Sequence, residues 1–307
     1  MTGETKESPL PTGSRTWVRR TLREPLEAAL VWVLLWVFQR MSLDRASAIG
    51  GAIGRTIGPR MGASNRARRN LRAAFPDWSE AQITATIRAM WDNLARGTTE
   101  IARLDALQIS GEDARIEVVG GEHLQRLRDD GIGGFVFSGH LGSWDAVALV
   151  IAQAIPGLIN VYRPLNNPII NRMMRRSRPN HGEFVRKGSE AARALIGGLR
   201  EGRHFAMLVD QKMNDGIPVP FFGRDAMTAS ALARLAIREG VPMVPCRCER
   251  LDGARFRVTC YPPLQPASSG DEKRDTADTM AKVNDMLEDW IRQRPEEWLW
   301  VHNRWPD

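Results

Sequence analysis

From residue 115 onward, short apolar runs alternate with stretches of helix length, and nothing else in the chain constrains its fold as strongly. Ile116–Val119, 134–137, Ile159–Tyr162 and 205–209 read as strands. Between and after them, 147–154, Pro168–Arg176, Ser189–Arg200 and 229–238 read as helices. Two further strands are predicted at 241–249 and 255–261, forming a hairpin around Asp252-Gly253, and a last helix at 273–292. Strands separated by helices return to the same edge of a sheet and run parallel. The expected fold is therefore α/β, a largely parallel but mixed central sheet flanked by helices.

Upstream of that alternation the pattern is helical. Ser79-Glu80-Ala81-Gln82 has the form of a capping box, and Ile83, Ile87, Met90, Trp91, Leu94 and Ile101 follow at helical spacing. Residues 1–14, rich in Ser, Thr, Pro, Gly and charge, are expected to be a disordered tail. Residues 15–110 form a helical lobe and 111–307 the α/β core, the two making one structural unit. Arg15, Arg19, Arg20 and Arg23 precede an apolar run at 28–38, about half of what a helix needs to span a bilayer. Three readings stay open for this run: a signal peptide, a buried core helix, or a membrane-associating helix at about 26–40. Trp32, Trp36 and the flanking arginines favour the last, monotopic or single-pass. Arg60, Arg66, Arg68, Arg69 and Arg72 add a second basic cluster, suited to an anionic lipid surface.

The formal net charge is +7, which admits nucleic acid, anionic lipid or an acidic protein as partner. The Phe and Trp residues lie in apolar runs rather than among basic residues, and no recognition motif is present, so no nucleic acid is expected. A basic, non-catalytic membrane-binding protein is the alternative of a different class. Ten Trp against two Tyr fit either a membrane interface or a Trp-rich core. Cys246, Cys248 and Cys260 are too few and too clustered for a disulfide framework, and they fit a reducing compartment. No Cys/His set has zinc spacing and no acidic cluster suggests Mg²⁺, so neither metal nor cofactor is expected.

Ligands of an open α/β sheet bind at the carboxyl ends of its strands. There stand His140, Arg163, Arg186 with Lys187, and Asp210 with Gln211. His140 and Asp145 are five apart, about 140° around a helix, too far to touch on continuous helix. Gly139 and Gly142 make a loop the better picture, with Ser143 as N-cap and Asp145 in the first helical turn. Such a loop would fold the imidazole onto the Asp145 carboxylate, fixing the tautomer and leaving the other ring nitrogen free to take a proton. Asp210 could position His140, Arg163 or a substrate.

His140-x4-Asp145 resembles the signature of glycerolipid-type acyltransferases. Tyr162-Arg163-Pro164, Asp210-Gln211, Val219-Pro220-Phe221-Phe222-Gly223 and Trp298-Leu299-Trp300-Val301-His302 narrow the likeness. With Asn70-Leu71, Phe75-Pro76, Asn93-Leu94, Arg96 and Glu100, they are similar to the late lauroyl/myristoyl acyltransferases of lipid A biosynthesis. The resemblance runs from about residue 25 onward. Leu165-Asn166-Asn167 and Lys212-Met213-Asn214 depart from the family's usual pattern, which bears on acceptor and chain length.

The resemblance implies a glycerolipid-acyltransferase-like fold at the cytoplasmic face of the bacterial inner membrane. It also implies transfer of a fatty acyl group from acyl carrier protein, or coenzyme A, to a hydroxyl of a lipid A precursor. His140 would be general base and Asp145 its orienter. Arg163 would stabilise an oxyanion or hold a phosphate, and Arg186, Asp210 and Gln211 would bind substrate. Phe221 and Phe222 would line an acyl-chain channel or pack in the core. Arg172, Arg175, Arg176, Arg178, Arg186 and Lys187 would face phosphates of a lipid A precursor or the acidic carrier protein. His302 reads as a hydrogen-bonded structural histidine. Relatives acting on mannosylated phosphoinositide tend to carry Glu where this chain has Asp145. An acyltransferase of another glycolipid or aminolipid is therefore the alternative of the same chemistry.

Overall fold

The computed structural model describes residues 22–305, so the expected tail at 1–14 and Arg15, Arg19 and Arg20 lie outside the described residues. Four helices open the chain: α1 Glu24–Gln39, α2 Leu43–Ile57, α3 Ala63–Ala74 and α4 Glu80–Glu100. The core follows as β1 Ile116–Val119, α5 Gly121–Asp129, β2 Gly134–Ser138, α6 Trp144–Ala154, β3 Ile159–Tyr162 and α7 Pro168–Arg176. Next come β4 Glu183–Arg186, α8 Ser189–Arg200, β5 His204–Leu208, β6 Lys212–Phe221 and β7 Arg224–Thr228. α9 Ala231–Glu239, β8 Met243–Arg250, β9 Phe256–Cys260 and α10 Glu272–Gln293 complete it.

Seven strands form one sheet in the order β1-β9-β8-β2-β5-β3-β4. Every pairing is parallel except the β8–β9 hairpin. β2 lies at the centre and is buried along its whole length, which is why it reads as a continuous apolar run. Its side chains divide between two layers. Phe135 and Phe137 join Phe205 and the Met280, Val283 and Leu287 stripe of α10. Val136 joins Ala206, Val244, and the inner faces of α5 and α6. β6 and β7 stand apart as a two-stranded antiparallel ribbon closed by Phe222-Gly223. Phe222 has a left-handed backbone, φ 51°, costly for a side chain with a Cβ. Its ring is only 6% exposed, packed on Phe75, Trp300 and Trp305, and that burial holds the turn.

The helical lobe is fixed by two features legible in the chain. The Ser79 capping box forms, with Ser79 Oγ accepting from Gln82 N at 3.3 Å and Gln82 accepting from Ser79 N at 2.9 Å. Gly50, Gly54 and Gly58 place a bare stripe of α2 and its extension against α4. A Cβ on Gly54 would overlap the Trp91 carbonyl, so only glycine permits this approach. The lobe is tied to the sheet by Arg250, at the end of β8. It donates to both Glu100 oxygens at 2.6 and 3.1 Å and to Asn93 Oδ1 at 2.8 Å.

The apolar run at 28–38 is helical but not a core helix. Within α1 only Glu24 and Ala28 are buried, while Leu26, Leu30, Trp32, Val33, Leu34 and Trp36 are exposed. Among the described residues no helix is long and apolar enough to cross a membrane. The tryptophans divide accordingly: Trp32 and Trp36 face outward, whereas Trp91, Trp290, Trp298, Trp300 and Trp305 are buried.

Candidate active site

The parallel register of β2 and β5 sets the geometry. Ser138 pairs with Leu208, so the residues two beyond each strand end, His140 and Asp210, arrive side by side. The loop carrying His140 turns at Gly142, whose φ is 56° and where a Cβ would sit 2.8 Å from the Cys248 carbonyl. Ser143 then caps α6 by accepting from Ala146 N at 3.3 Å, as the sequence leads one to expect.

His140 Nδ1 lies 2.7 Å from Asp210 Oδ1, and the His140 backbone N–H donates to Asp210 Oδ2 at 2.8 Å. Trp298 Nε1–H donates to the same Oδ2 at 2.8 Å. A carboxylate only accepts, so Nδ1 carries the proton and Nε2 of the neutral ring keeps its lone pair. Asp210 is fully buried. Burial acts to raise its pKa, but the His140 charge, the two His140 hydrogen bonds and the Trp298 bond outweigh it and hold the carboxyl well below its usual range.

On the far side of the ring, Gln211 Nε2 lies 3.2 Å from His140 Nε2 and 3.0 Å from His302 Nε2. One amide thus donates to two imidazoles, which requires both nitrogens to be unprotonated. The two rings stand 5.4 Å apart. Burial, reinforced by the charge on His140, pushes His302 down to about 4, so it stays neutral at physiological pH. The His140 side chain is 16% exposed and its Nε2 edge is the part a substrate hydroxyl can reach.

Asp145 is not the partner of His140. It sits in the first turn of α6, as expected, but faces Arg178, which donates from Nε at 2.5 Å and from a terminal nitrogen at 2.9 Å. The reason is geometric: β5 delivers Asp210 to the imidazole first, and the segment after α7 brings a bidentate guanidinium to Asp145. Beside this pair lies His181, 2% exposed, with neither ring nitrogen hydrogen-bonded and its pKa lowered by burial.

The loop is also braced from two directions. Asn93 of α4 donates to the Gly142 carbonyl at 3.2 Å and to the Glu297 carbonyl at 3.4 Å. Leu141 bridges to Trp298, and Gly142 N–H donates to the Glu297 carbonyl at 3.2 Å. Segment 297–302 therefore completes the site with Trp298 and His302. Its motif singled it out in the sequence, but the Trp298 bond to Asp210 carries no local signal. Arg163 is exposed at the end of β3, with its charge felt at both His302 and Lys187.

A base with an unprotonated Nε2 that accepts only from the Gln211 amide, an ionised carboxylate behind it and an exposed arginine at the end of β3 suit proton abstraction from a hydroxyl attacking an acyl group, the hydroxyl displacing the amide. The family model for bacterial lipid A biosynthesis acyltransferases matches residues 15–307. The chain belongs to that family. It is an acyl-transferring enzyme.

Relatives are distant over most of their length. A lipid A biosynthesis lauroyltransferase of Escherichia coli K12 is 28% identical over 253 residues, covering 77% of this chain and 76% of that one. A lipid A biosynthesis acyltransferase of Haemophilus influenzae is 22% identical, covering 77% and 73%. A phosphatidylinositol mannoside acyltransferase of Mycolicibacterium smegmatis is 26% identical, covering 85% of each chain.

Two other groups of expected site residues fall elsewhere in this acyltransferase. Phe221 and Phe222 are buried in the aromatic core, Phe221 stacking on Trp305 at 5.6 Å and edge-on to Trp298 at 5.7 Å. Phe221 supports the Trp298 that reaches Asp210, which is the core-packing reading of the pair. Arg186 ends β4 and lines an open cavity of about 930 Å³ with Tyr162, Arg172, Arg175, Arg176 and Arg178. That cavity lies at the β3–β4 side, while His140 follows β2. β5 intervenes between β2 and β3, putting about 10 Å between the His140 strand and the cavity's near edge. Among the described residues no group of three His, Cys, Asp or Glu is placed to hold a metal ion.

Proposed function

We propose that this acyltransferase moves a fatty acyl group from acyl carrier protein to a hydroxyl of a lipid A precursor at the cytoplasmic face of the inner membrane, with His140 as general base. The observation that carries the chemistry is the His140–Asp210 contact of 2.7 Å with Nε2 left unprotonated. His140 Nε2 takes the hydroxyl proton as the oxygen attacks the thioester carbonyl. Asp210 stabilises the imidazolium that results. Arg163 faces the oxyanion of the tetrahedral intermediate. Collapse breaks the C–S bond, and the departing thiolate takes its proton from His140, which restores the base. The exposed apolar face of α1, with Val33, Leu34 and Trp36, supports a monotopic seat on the bilayer.

His140→Ala should fold normally and lose acyl transfer, assayed with acyl carrier protein thioester and a lipid A precursor. Retention of even about a tenth of the activity would sink the general-base role, because such a base contributes about 10²–10⁴-fold. The mycobacterial relatives support a second acceptor class, phosphoinositide mannosides. Supplying both acceptors to the purified enzyme decides between them, and mass spectrometry of lipid A from cells lacking the protein names the missing chain.

A further inference from the structure

The cavity beside β3 and β4 has a charge distribution that the acyl-transfer step does not use. Of its arginines, Arg178 is held by Asp145, and of its acids, Glu183 is held by Arg203 at 2.9 Å. Arg172, Arg175, Arg176 and Arg186 have no carboxylate partner among the described residues, and Glu24 is the only other acid lining the space. Four guanidinia gathered with no ion pair of their own among the described residues repel one another, and this arrangement is stabilised when an anion with several oxygens enters. The guanidinium fork matches phosphate, and a space of about 930 Å³ is ample for a phosphorylated sugar.

The surroundings are those of an amphiphile. α7 has no buried residue, so both its apolar and its basic side chains are open to a ligand. Ile169, Arg172, Met173 and Arg176 share one face of that helix at spacings of three, four and seven. Leu165 and Ile169 are exposed beside the basic group. α1 packs against α7, and its outward Leu26 and Leu30 continue the apolar surface. Cationic groups edged by exposed aliphatic side chains suit a phosphate head with acyl chains attached. An acidic protein surface would have no use for the aliphatic rim. Arg163 follows Tyr162 of the cavity wall and its charge is felt at His302, so the β3 end links this space to the catalytic edge, about two strand spacings away.

We propose that this cavity is the head-group subsite of the acceptor, binding a phosphate of a phosphorylated glycolipid through Arg172, Arg176 and Arg186. The inference rests on the acyl-transfer reading above and adds which group of the acceptor is gripped, and where. Arg175 covers the Tyr162 ring at 6.0 Å and closes the inner wall. The Asp145–Arg178 pair anchors the segment that follows α7, so the motif aspartate shapes this subsite rather than the catalytic histidine.

The test uses the full chain in detergent with Arg172→Ala/Arg176→Ala, two surface changes that leave the core untouched. Transfer is measured to a phosphorylated glucosamine-disaccharide lipid and to its dephosphorylated counterpart. The KM for the phosphorylated acceptor should rise at least about tenfold, with the KM for the dephosphorylated acceptor, the donor KM and kcat unchanged. An equal rise for both acceptors, no rise, or a rise in donor KM would overturn the proposal, the last by assigning the surface to carrier protein. A second arm needs no turnover. The His140→Ala protein should float more strongly with phosphatidylcholine vesicles carrying the phosphorylated lipid than with those carrying the dephosphorylated one, and the arginine changes should remove that difference. Inorganic phosphate should compete only at far higher concentration, and competition at equal concentration would reduce the site to a simple anion site and defeat the proposal. If the wild type transfers to neither lipid while the vesicle difference persists and depends on the arginines, the acyl-transfer reading fails and the subsite stands. If transfer proceeds with no arginine effect, the subsite alone fails.

Discussion

At the scale of single residues, two aspartates near one histidine have separable jobs. Asp210 accepts from the ring, the backbone and Trp298, so Asp210→Asn should remove the charge that stabilises the imidazolium and turn the ring tautomer. A fall in kcat of about 10³–10⁴-fold is expected, with the fold retained. Asp145→Asn should act differently. It leaves the Arg178 guanidinium uncompensated in a mostly buried place, costing about 3 kcal/mol in urea unfolding. Its coupling in a double-mutant cycle should be to Arg178→Met and not to His140→Ala.

His302 gives a pH dependence with a definite sign. Its folded pKa of about 4 lies below the unfolded value of 6.5. Between those values the unfolded chain binds a proton that the folded chain does not, so this contribution to stability is lost as pH falls from 6.5 towards 4. Glu297 acts oppositely: burial pushes it up to about 7, and its contribution is lost as pH rises through that value. Comparing wild type with His302→Gln isolates the first. The stability gap between them should narrow from pH 7 to pH 4.5, by at most about 3 kcal/mol. His140, Arg163, Asp210 and Gln211 were all legible as strand-end residues. The pairing was not, because sequence separation says nothing about which strands are neighbours. Five residues made Asp145 seem near, and the β2–β5 register made Asp210, seventy residues on, the actual contact.

At the scale of elements, the α2–α4 contact depends on the absence of side chains. Gly54→Leu should push the helices apart and lower stability by about 1–3 kcal/mol, measured as a drop in thermal midpoint, and shift Asn93 of α4 from the Gly142 carbonyl. Helices and strands with clean periodicity were read well. Pro168–Arg176 and Ser189–Arg200 have the expected bounds, and the β8–β9 hairpin turns around Asp252-Gly253. The β6–β7 ribbon was missed as a ribbon. Pro218 and Pro220 argue against a strand in a sheet interior, but a two-stranded ribbon consists of edges, where proline is tolerated. Its turn also hides in the sequence, since Phe222 occupies a left-handed position usually given to Gly or Asn. The ring's burial explains that exception, and core packing was one of the two readings open for Phe221-Phe222.

At the scale of the whole molecule, α1 and α2 each carry several exposed large apolar side chains. Val33, Leu34 and Trp36 on α1, with Ile49, Ile53 and Ile57 on α2, are exposed together with a net charge of +7. Replacing Val33, Leu34 and Trp36 with Ser should weaken flotation with phosphatidylglycerol vesicles by about 100-fold or more, since each full burial is worth about 1.5–3 kcal/mol. Unaltered binding would mean that the basic surface alone holds the protein to the bilayer. Helices open the described chain and the sheet follows, and Arg250, Asn93 and Glu100 tie the two together.

The docking of segment 297–302 against the histidine loop bears on when activity appears during synthesis. His140 and Asp210 emerge from the ribosome long before Trp298 and His302. A nascent chain that has reached only Arg294 holds both members of the dyad but lacks the indole that fixes the carboxylate and the second imidazole that shares Gln211. Such a chain can begin to fold while its base is still incompletely assembled. Chains broken off before Trp298 would then be silent rather than acylating at random, because activity waits until this segment has been made and docked.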